Sequence, residues 1–186
     1  MTVIEAIKSR RSIPKLRPDP VPRELIEQML DAAVWAPNHR MTEPWRFYVL
    51  MGEGKRRFAE VRRWFRAASL PNPEAPESIR ALDRLSQDTL ATPALVVATV
   101  HQAADEEQRE EDTFATFMAI QNMMLAGVEL GVGSYMRTGA LLRDPDLRTL
   151  LNVEDDRRVV AIAYVGYPAE VPQKRRAPAS EKTVWL

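Results

Sequence analysis

A long apolar stretch near the middle of the chain constrains the fold more than any other feature. Asp105 to Gly131 predicts one long helix, with acidic first turns that suit the helix dipole and a second half that is apolar on nearly every side. Gln121, Asn122 and Glu129 interrupt the apolar run, so a membrane span is not expected. A helix that is apolar on every side needs packing partners on every side. We therefore expect this helix to lie in the core and also at the interface of a homodimer.

The composition predicts one domain, and it predicts that any redox chemistry depends on a bound cofactor. At 186 residues with 45% hydrophobic content, it can bury one sizeable core, which predicts a single domain over residues 1–186. Its 26 basic and 26 acidic residues cancel, so no overall field draws it to nucleic acid or to a membrane surface. It has no cysteine, and His39 and His101 are isolated, so we expect no metal site and no thiol chemistry. Any redox activity must come from a bound cofactor.

Helical and strand patterns follow one another irregularly, which indicates an α+β fold. Helices are predicted over 3–9, Pro22–Trp35, Lys55–Ala68, a short stretch from Ile79 to Leu85, Asp105–Gly131 and Pro145–Leu151. Strands are predicted over Trp45–Met51, Ala94–Val100, Ser134–Arg137 and Arg158–Tyr167. The proline-rich segment Leu70–Glu77 is predicted to be a loop or lid. The first helix carries Glu5 and lacks the uninterrupted apolar core of a signal peptide, so a cytoplasmic location is expected.

The segment Arg10-Arg11-Ser12 places two guanidinium groups and a hydroxyl at the predicted end of the first helix. These groups are suited to a phosphate and to the polyol chain attached to it. Arginines at a helix end are also commonly solvated, or complement the helix dipole. The segment alone does not decide between the two interpretations.

The third helix carries a cluster of arginines that we interpret as a solvated face. Glu53 and Glu60 interrupt its positive charge and few aromatic residues accompany it, which argues against a nucleic-acid role. No glycine-rich phosphate loop is present either, because Gly131 and Gly133 end a helix instead of joining a strand to a helix. A Rossmann domain is therefore not expected.

Several short segments, in a fixed order, resemble the nitroreductase family over nearly the whole chain. Arg10-Arg11-Ser12 follows a short helix, and Trp35-Ala36-Pro37-Asn38-His39 is followed by Glu43-Pro44-Trp45-Arg46-Phe47. Arg137-Thr138-Gly139-Ala140 comes next, and Val165-Gly166-Tyr167-Pro168 precedes a basic tail. The chain is most similar to the short, minimal branch of the family.

The resemblance implies a fold and a shared cofactor site. The fold would be a three-layer α+β sandwich, with helices around a mainly antiparallel mixed sheet, in an intertwined homodimer that binds FMN at its interface. By similarity, one subunit would hold the FMN phosphate and ribityl chain with Arg10, Arg11 and Ser12, and would line the isoalloxazine ring with Met136, Arg137 and Thr138. The partner subunit would contribute Trp35 and His39.

The resemblance also implies an activity. The chain would be an FMN-dependent NAD(P)H oxidoreductase that reduces nitroaromatics, quinones or similar electron-poor small molecules. The flavin would carry the hydride through its N5 atom, so no side chain is expected to be catalytic. Similar scaffolds serve dehalogenation, flavin fragmentation and dehydrogenation, so another substrate class stays open, as does a non-catalytic FMN-binding dimer.

Two departures from the family pattern bear on the expected site. Many relatives have a basic residue two positions after the serine, where this chain has Pro14, so one contact to the flavin ring would be absent unless Lys15 substitutes. Glu43 stands where many relatives have glutamine, and it either pairs with Arg40 or Arg46 or is exposed. The tail residues Lys174–Arg176 either contact the phosphate or form a solvated charge run.

Overall fold

This computed structural model describes all residues 1–186. Its helices and strands follow one another along the chain in the predicted order. The helices are α1 (Val3–Ser9), α2 (Arg23–Ala33), α3 (Gly52–Ala68), α4 (Pro76–Ala91), α5 (Glu106–Glu129) and α6 (Pro145–Leu151). The strands are β1 (Trp45–Leu50), β2 (Ala94–His101), β3 (Gly133–Arg137) and β4 (Arg157–Gly166). Short 3₁₀ turns lie at His39–Met41, Ala140–Arg143 and Ala179–Lys182.

Side-chain caps determine where three of the helices begin. At α1, the Thr2 hydroxyl accepts a hydrogen bond from the Glu5 N–H at 3.2 Å, and the Glu5 carboxylate accepts one from the Thr2 N–H at 2.8 Å. This capping box satisfies two backbone donors that the first turn leaves free. Asp105 caps α5 by accepting from the Gln108 N–H at 2.9 Å, and Asp144 caps α6 in the same way.

Two helices differ in extent from the prediction. Helix α3 starts at Gly52 instead of Lys55, because Gly52 adopts a φ of +49° that lets the chain turn directly from β1 into the helix. Helix α4 runs for 16 residues from Pro76, where a short helix from Ile79 was expected. Proline is well suited to a first helical turn, where its missing N–H costs nothing. The loop predicted over Leu70–Glu77 is therefore shorter, and it joins two helices packed on each other.

The four strands form one antiparallel sheet in the order β1-β2-β4-β3. Within the chain, the only parallel pairing is an isolated bridge between Ser12 and Ser134, so the sheet is more uniform than the predicted mixed sheet. Strand β3 lies at an edge, with Gly133 opposite Gly166 of β4. The edge position leaves one side of β3 open to other hydrogen-bonding groups.

Helices cover both faces of the sheet, which confirms the three-layer α+β sandwich. Because side chains alternate between the faces of a strand, Val96 and Val97 of β2 belong to different hydrophobic clusters. Val96 packs with Met29 of α2 and with α5, whereas Val97 packs with Phe58 of α3 and Leu147 of α6. Burial of each such side chain stabilises the fold by about 1.5–3 kcal/mol.

Large apolar side chains of α1 and α5 are exposed. Helix α1 buries none of its residues and leaves Ile4 and Ile7 exposed. On α5, Phe114 and Met118 are also exposed, one helical turn apart, although the rest of that helix is largely buried. None of the helices is long and apolar enough to span a bilayer.

Candidate functional site

The Arg10-Arg11-Ser12 segment lies beside the edge strand β3. Arg10 is the C-terminal cap of α1, and its N–H donates to the Ala6 carbonyl at 2.9 Å. Ser12 then bridges to Ser134, and the Ile13 N–H donates to the Ser134 carbonyl at 2.9 Å. The end of α1 is thereby fixed against the start of β3. The open part of β3 begins where this segment leaves it.

Three arginines lie together at this position. Arg10 and Arg11 line a cavity of about 270 Å³, whose other walls come from the end of α5, the start of β3 and the segment after β4. Burial lowers the pKa of Arg10, and the positive charges of Arg176 and Arg11 lower it further. Arg176 of the tail therefore approaches Arg10 closely enough to repel it. None of the three forms an ion pair, so the cluster is a concentrated positive charge without a counter-ion.

Arg11 is only partly available to a ligand. One of its terminal nitrogens donates to the Lys8 carbonyl at 2.6 Å and to the Arg10 carbonyl at 2.9 Å. These carbonyls belong to the end of α1, where the last helical oxygens have no partner of their own. The Arg11 Nε–H is buried and has no partner. A buried donor without a partner costs about 1–3 kcal/mol, and a bound anion would remove that cost.

The three residues predicted to line the ring lie along the open edge of β3. Met136 is partly buried against the α2–α5 cluster, whereas Arg137 and Thr138 are exposed. Because β3 pairs with β4 on one side only, the backbone N–H and C=O groups on its other side are free beyond Ser134. The guanidinium of Arg137 lies 5.7 Å from the ring centre of Tyr164 in β4. This edge can bind a flat molecule that carries its own donors and acceptors.

Arg62 of α3 lies beside the candidate site, which the sequence interpretation did not anticipate. It lines two neighbouring cavities, of about 330 and 500 Å³, and Arg137 and Tyr164 line both of them as well. The prediction that the α3 arginines form a solvated face is wrong for this residue. Arg62 comes four residues after the buried Phe58, so the helical spacing already placed it at the border of the packed face.

Trp35 and His39 lie in a different part of the chain, on the loop between α2 and β1. Trp35 is 82% exposed, and His39 Nδ1 lies 2.7 Å from a carboxylate oxygen of Glu111 on α5. The Thr42 hydroxyl donates to Asp112 Oδ1 at 2.7 Å, so two neighbouring α5 carboxylates hold this loop. The loop also carries positive φ values at three residues that are not glycine: Arg40, Met41 and Glu43. Such backbone strain persists only where surrounding contacts impose it, and it is common at functional sites.

One chain does not bring the loop and the arginine cluster together. The loop contacts α5 at Glu111, whereas the cavity beside Arg10 is lined by Met124 and Val128 of the same helix. An α-helix rises 1.5 Å per residue, so these points are roughly 20–25 Å apart along α5. His39 therefore cannot complete the cavity beside Arg10 of its own chain.

The two departures from the family pattern have structural outcomes. Lys15 lines the 500 Å³ cavity beside Pro14, but its ammonium group lies 3.3 Å from the exposed carboxylate of Glu170. Glu43 is exposed and forms no ion pair, because Arg46 pairs with Glu154 instead. Of the two alternatives for Glu43, the exposed position is therefore the observed one.

Comparison with known proteins identifies the family and the fold. Residues 7–167 match the model of the nitroreductase family. The chain is 34% identical over 180 residues to the Bacillus subtilis protein named "Putative NAD(P)H nitroreductase YfhC", covering 96% of this chain and 91% of that one. It also superposes with a TM-score of 0.86 on the crystal structure of a nitroreductase-like family protein from Bacillus cereus, at 29% identity, covering 100% and 96% of the two chains.

A more distant structure shares the fold. The FMN and NADPH-dependent nitroreductase NfnB from Sphigopyxis sp. strain HMH matches with a TM-score of 0.76 at 18% identity, covering 100% of this chain and 99% of that one. The family match spans most of the chain, and the relatives match it along nearly their whole length. The resemblance inferred from the short segments is confirmed, and the chain belongs to the nitroreductase family.

Proposed function

We propose that this chain is an FMN-dependent NAD(P)H oxidoreductase that reduces nitroaromatics, quinones or similar electron-poor molecules, and that it acts as a homodimer in the cytoplasm, where NAD(P)H is supplied. The observation that carries the proposal is the arginine cluster beside the open edge of β3. The names of the relatives support the donor, since YfhC is named for NAD(P)H, and the NfnB structure is described as FMN and NADPH-dependent.

The arginine cluster fits the phosphate of FMN. Three guanidinium groups without a carboxylate partner repel one another, and a phosphate dianion would reverse that repulsion into attraction. The unpartnered Nε–H of Arg11 would gain an acceptor, and the exposed hydroxyl of Ser12 stands one residue further along. Arg10 and Arg176 would bind the phosphate as their main role. Arg11 would divide its donors between the phosphate and the end of α1.

The open edge of β3 fits the isoalloxazine ring. Its free backbone groups from Met136 to Thr138 would bind and orient the polar edge of the ring, while Arg137 adds a positive charge beside it. When bound, FMN supplies the hydride chemistry, which the protein's side chains cannot perform. The chain's own contribution is to position the ring and to favour negative charge on it.

The homodimer accounts for the residues that one chain leaves apart. A two-fold axis near the middle of α5 would place the His39 end of one helix beside the Arg10 end of its partner. The same axis would pair the exposed row that contains Phe114 and Met118 with its own copy. Trp35, which is largely exposed within its own chain, would then cover the partner's flavin.

The first experiment tests the phosphate site. The purified protein should be yellow, and the apoprotein should bind added FMN with quenching of tryptophan fluorescence. Replacement of Arg10 removes a charged hydrogen bond worth about 1.5–3 kcal/mol, which is a loss of about 10- to 150-fold in affinity. Arg57→Ala on the exposed side of α3 is the control and should bind FMN normally. Equal affinities in Arg10→Ala and Arg57→Ala would reject the assignment, and a wild-type protein that binds no FMN would reject the function.

The second experiment tests whether each site is shared by two chains. Arg10→Ala and His39→Ala chains, carrying different tags, are co-expressed and the mixed dimer is isolated. If the sites are shared, one site of the mixed dimer carries both substitutions and the other carries neither. Half of the sites should then bind FMN with wild-type affinity and be reduced anaerobically by NAD(P)H. If each site belongs to one chain, every site carries one substitution and no wild-type site appears.

A further inference from the structure

Arg62 differs from the other arginines of α3 in what fixes its position. Arg56 pairs with Glu53 at 3.0 Å and Arg63 pairs with Asp83 at 2.7 Å. Arg62 is half-buried and forms no ion pair; it donates to the hydroxyl of Thr89 on α4 at 2.6 Å. The Thr89 side chain is fully buried and neutral. The hydrogen bond to Thr89 therefore holds the guanidinium of Arg62 in place, and no carboxylate neutralises its charge in an ion pair.

Arg62 and Arg137 direct two positive charges towards one cavity. Their guanidinium carbons lie 5.6 and 5.7 Å from the ring centre of Tyr164, and both residues line the 500 Å³ cavity. Burial is the main cause that lowers the pKa of Arg62, and the charge of Arg137 acts in the same direction. Arginine stays protonated under all ordinary conditions, so both charges persist. The carboxylate of Asp88 lines the same cavity but forms no ion pair with either arginine, so the two guanidinium groups outnumber it and favour an anionic or electron-rich ligand there.

The same cavity lies where the chain departs from its relatives. Pro14, at the position where the family resemblance implies a basic residue, lines the cavity together with Arg62. Lys15 lies next to it, but its ammonium group is exposed and directed to Glu170. An exposed lysine pair of this kind contributes little and is readily rearranged. Arg62 is therefore the cation at this cavity whose position the fold fixes.

We propose that Arg62 is the cation that faces the electron-rich edge of the flavin ring in this chain. It would supply the positive charge that a basic residue at position 14 would otherwise provide. This inference rests on the proposed function. A hydride that arrives from NAD(P)H adds one negative charge to the ring, and the donor leaves as NAD(P)⁺. A fixed guanidinium at the ring edge stabilises that charge more than it stabilises the oxidised ring. Thr89 is the positioning residue that holds Arg62 in place.

The midpoint potential of the bound FMN tests this proposal. Arg62→Met should bind reduced FMN about tenfold more weakly, relative to oxidised FMN, than the wild type does. For a two-electron couple that change lowers the midpoint potential by about 30 mV. Arg62→Lys should show a smaller shift, and Arg63→Met, the matched control on the same helix, should show none. A wild-type potential in Arg62→Met would overturn the proposal.

A compensating substitution separates the electrostatic role from a structural one. Arg62 also joins α3 to α4 through Thr89, so its loss lowers stability for reasons unrelated to the flavin. Pro14→Arg, added to Arg62→Met, should restore the potential without restoring the stability. If Arg62→Met does not fold, Thr89→Val decides instead, because it releases Arg62 while leaving its charge. A lowered potential in Thr89→Val supports the proposal, and an unchanged one overturns it. FMN that fails to bind the wild type would instead reject the proposed function.

Discussion

Two faces of this molecule expose large apolar side chains to a similar degree, yet they are built differently. On the α3–α4 face, Trp64 is 61% exposed, but charged pairs such as Arg63–Asp83 occupy the surface of the same helix. On the α1–α5 face, Phe114 is 57% exposed and Met118 follows it one turn later. Single exposed aromatic residues are normal on monomers, whereas continuous apolar rows mark surfaces that another protein covers. The neighbours of an exposed residue therefore carry more information than its own exposure.

The difference extends to the polar groups of each face. On the α3–α4 face, the exposed Arg56–Glu53 pair joins two residues of one helix and contributes little to stability. The carboxylates of α5 instead hold the strained 38–43 loop, through His39 and Thr42. One face has the ordinary chemistry of a solvated surface. The other has a loop of strained backbone that contacts with α5 keep in place.

The largest expected effect comes from placing a charge on each face in turn. Phe114→Glu should dissociate the proposed dimer, because a two-fold interface carries the substitution twice and a central aromatic residue costs about 2 kcal/mol or more per copy. The dimer dissociation constant should rise on the order of 1000-fold. Trp64→Glu, with the same new charge and a similarly exposed starting residue, should leave it unchanged. Sedimentation velocity over a concentration series measures both, and equal behaviour of the two variants would remove the distinction between the faces.

A smaller effect is expected from the contact between α5 and the 38–43 loop. Asp112 accepts hydrogen bonds from Thr42 at 2.7 Å and from Gln108 at 2.9 Å, and it is buried. Asp112→Ala leaves these donors without a partner and should lower the free energy of unfolding by about 2 kcal/mol. Asp112→Asn keeps the accepting oxygen and should cost much less. Glu110→Ala, at an exposed position on the same helix, is the control, and urea denaturation is the measurement.

The same variants also report on the partner's site. If the loop reaches the partner's flavin, Asp112→Ala should weaken FMN binding even though Asp112 belongs to the chain that does not hold the phosphate. Unchanged FMN affinity, together with the expected loss of stability, would show that the loop is ordered for reasons other than the cofactor.

Local patterns were enough to predict most of the fold. Apolar, aromatic and β-branched runs predicted three of the four strands, the short strand β3 was predicted from its place after the glycines that end α5, and the Arg10-Arg11-Ser12 segment could be singled out because its arginines are adjacent in sequence. The position of Arg62 was not anticipated because it depends on Thr89 and Tyr164, which are distant in sequence and are brought together only by the packing of α3, α4 and β4. Helical spacing placed it at the border of the buried face, but could not say what it would meet there.

The strained loop had no signal in the sequence. Residues with positive φ are usually glycine or asparagine, and this loop uses Arg40, Met41 and Glu43. Their conformation is imposed by contacts with α5, such as the one between Thr42 and Asp112, whose residues are 70 positions apart. Local preference opposes this backbone, so a prediction from local preference could not find it. The approach of Arg176 to Arg10 likewise depends on the path of the tail.

The smallest expected effect compares one glycine beside the site with one on the α3–α4 face. A Cβ on Gly133 would lie 2.9 Å from side-chain atoms of both Ile13 and Pro168, which belong to the segments that pack against the start of β3. Gly133→Ala should therefore cost about 1–3 kcal/mol by overpacking and should weaken FMN binding by displacing the arginine segment. A Cβ on Gly54 in α3 would lie no closer than 3.4 Å to its nearest neighbour, Leu50. Gly54→Ala should raise stability by about 0.5 kcal/mol, because alanine loses less backbone entropy in a helix. Thermal unfolding and FMN titration of the two variants measure the contrast; a Gly133→Ala protein with wild-type values in both would mean that the segment can shift away from β3 at no cost.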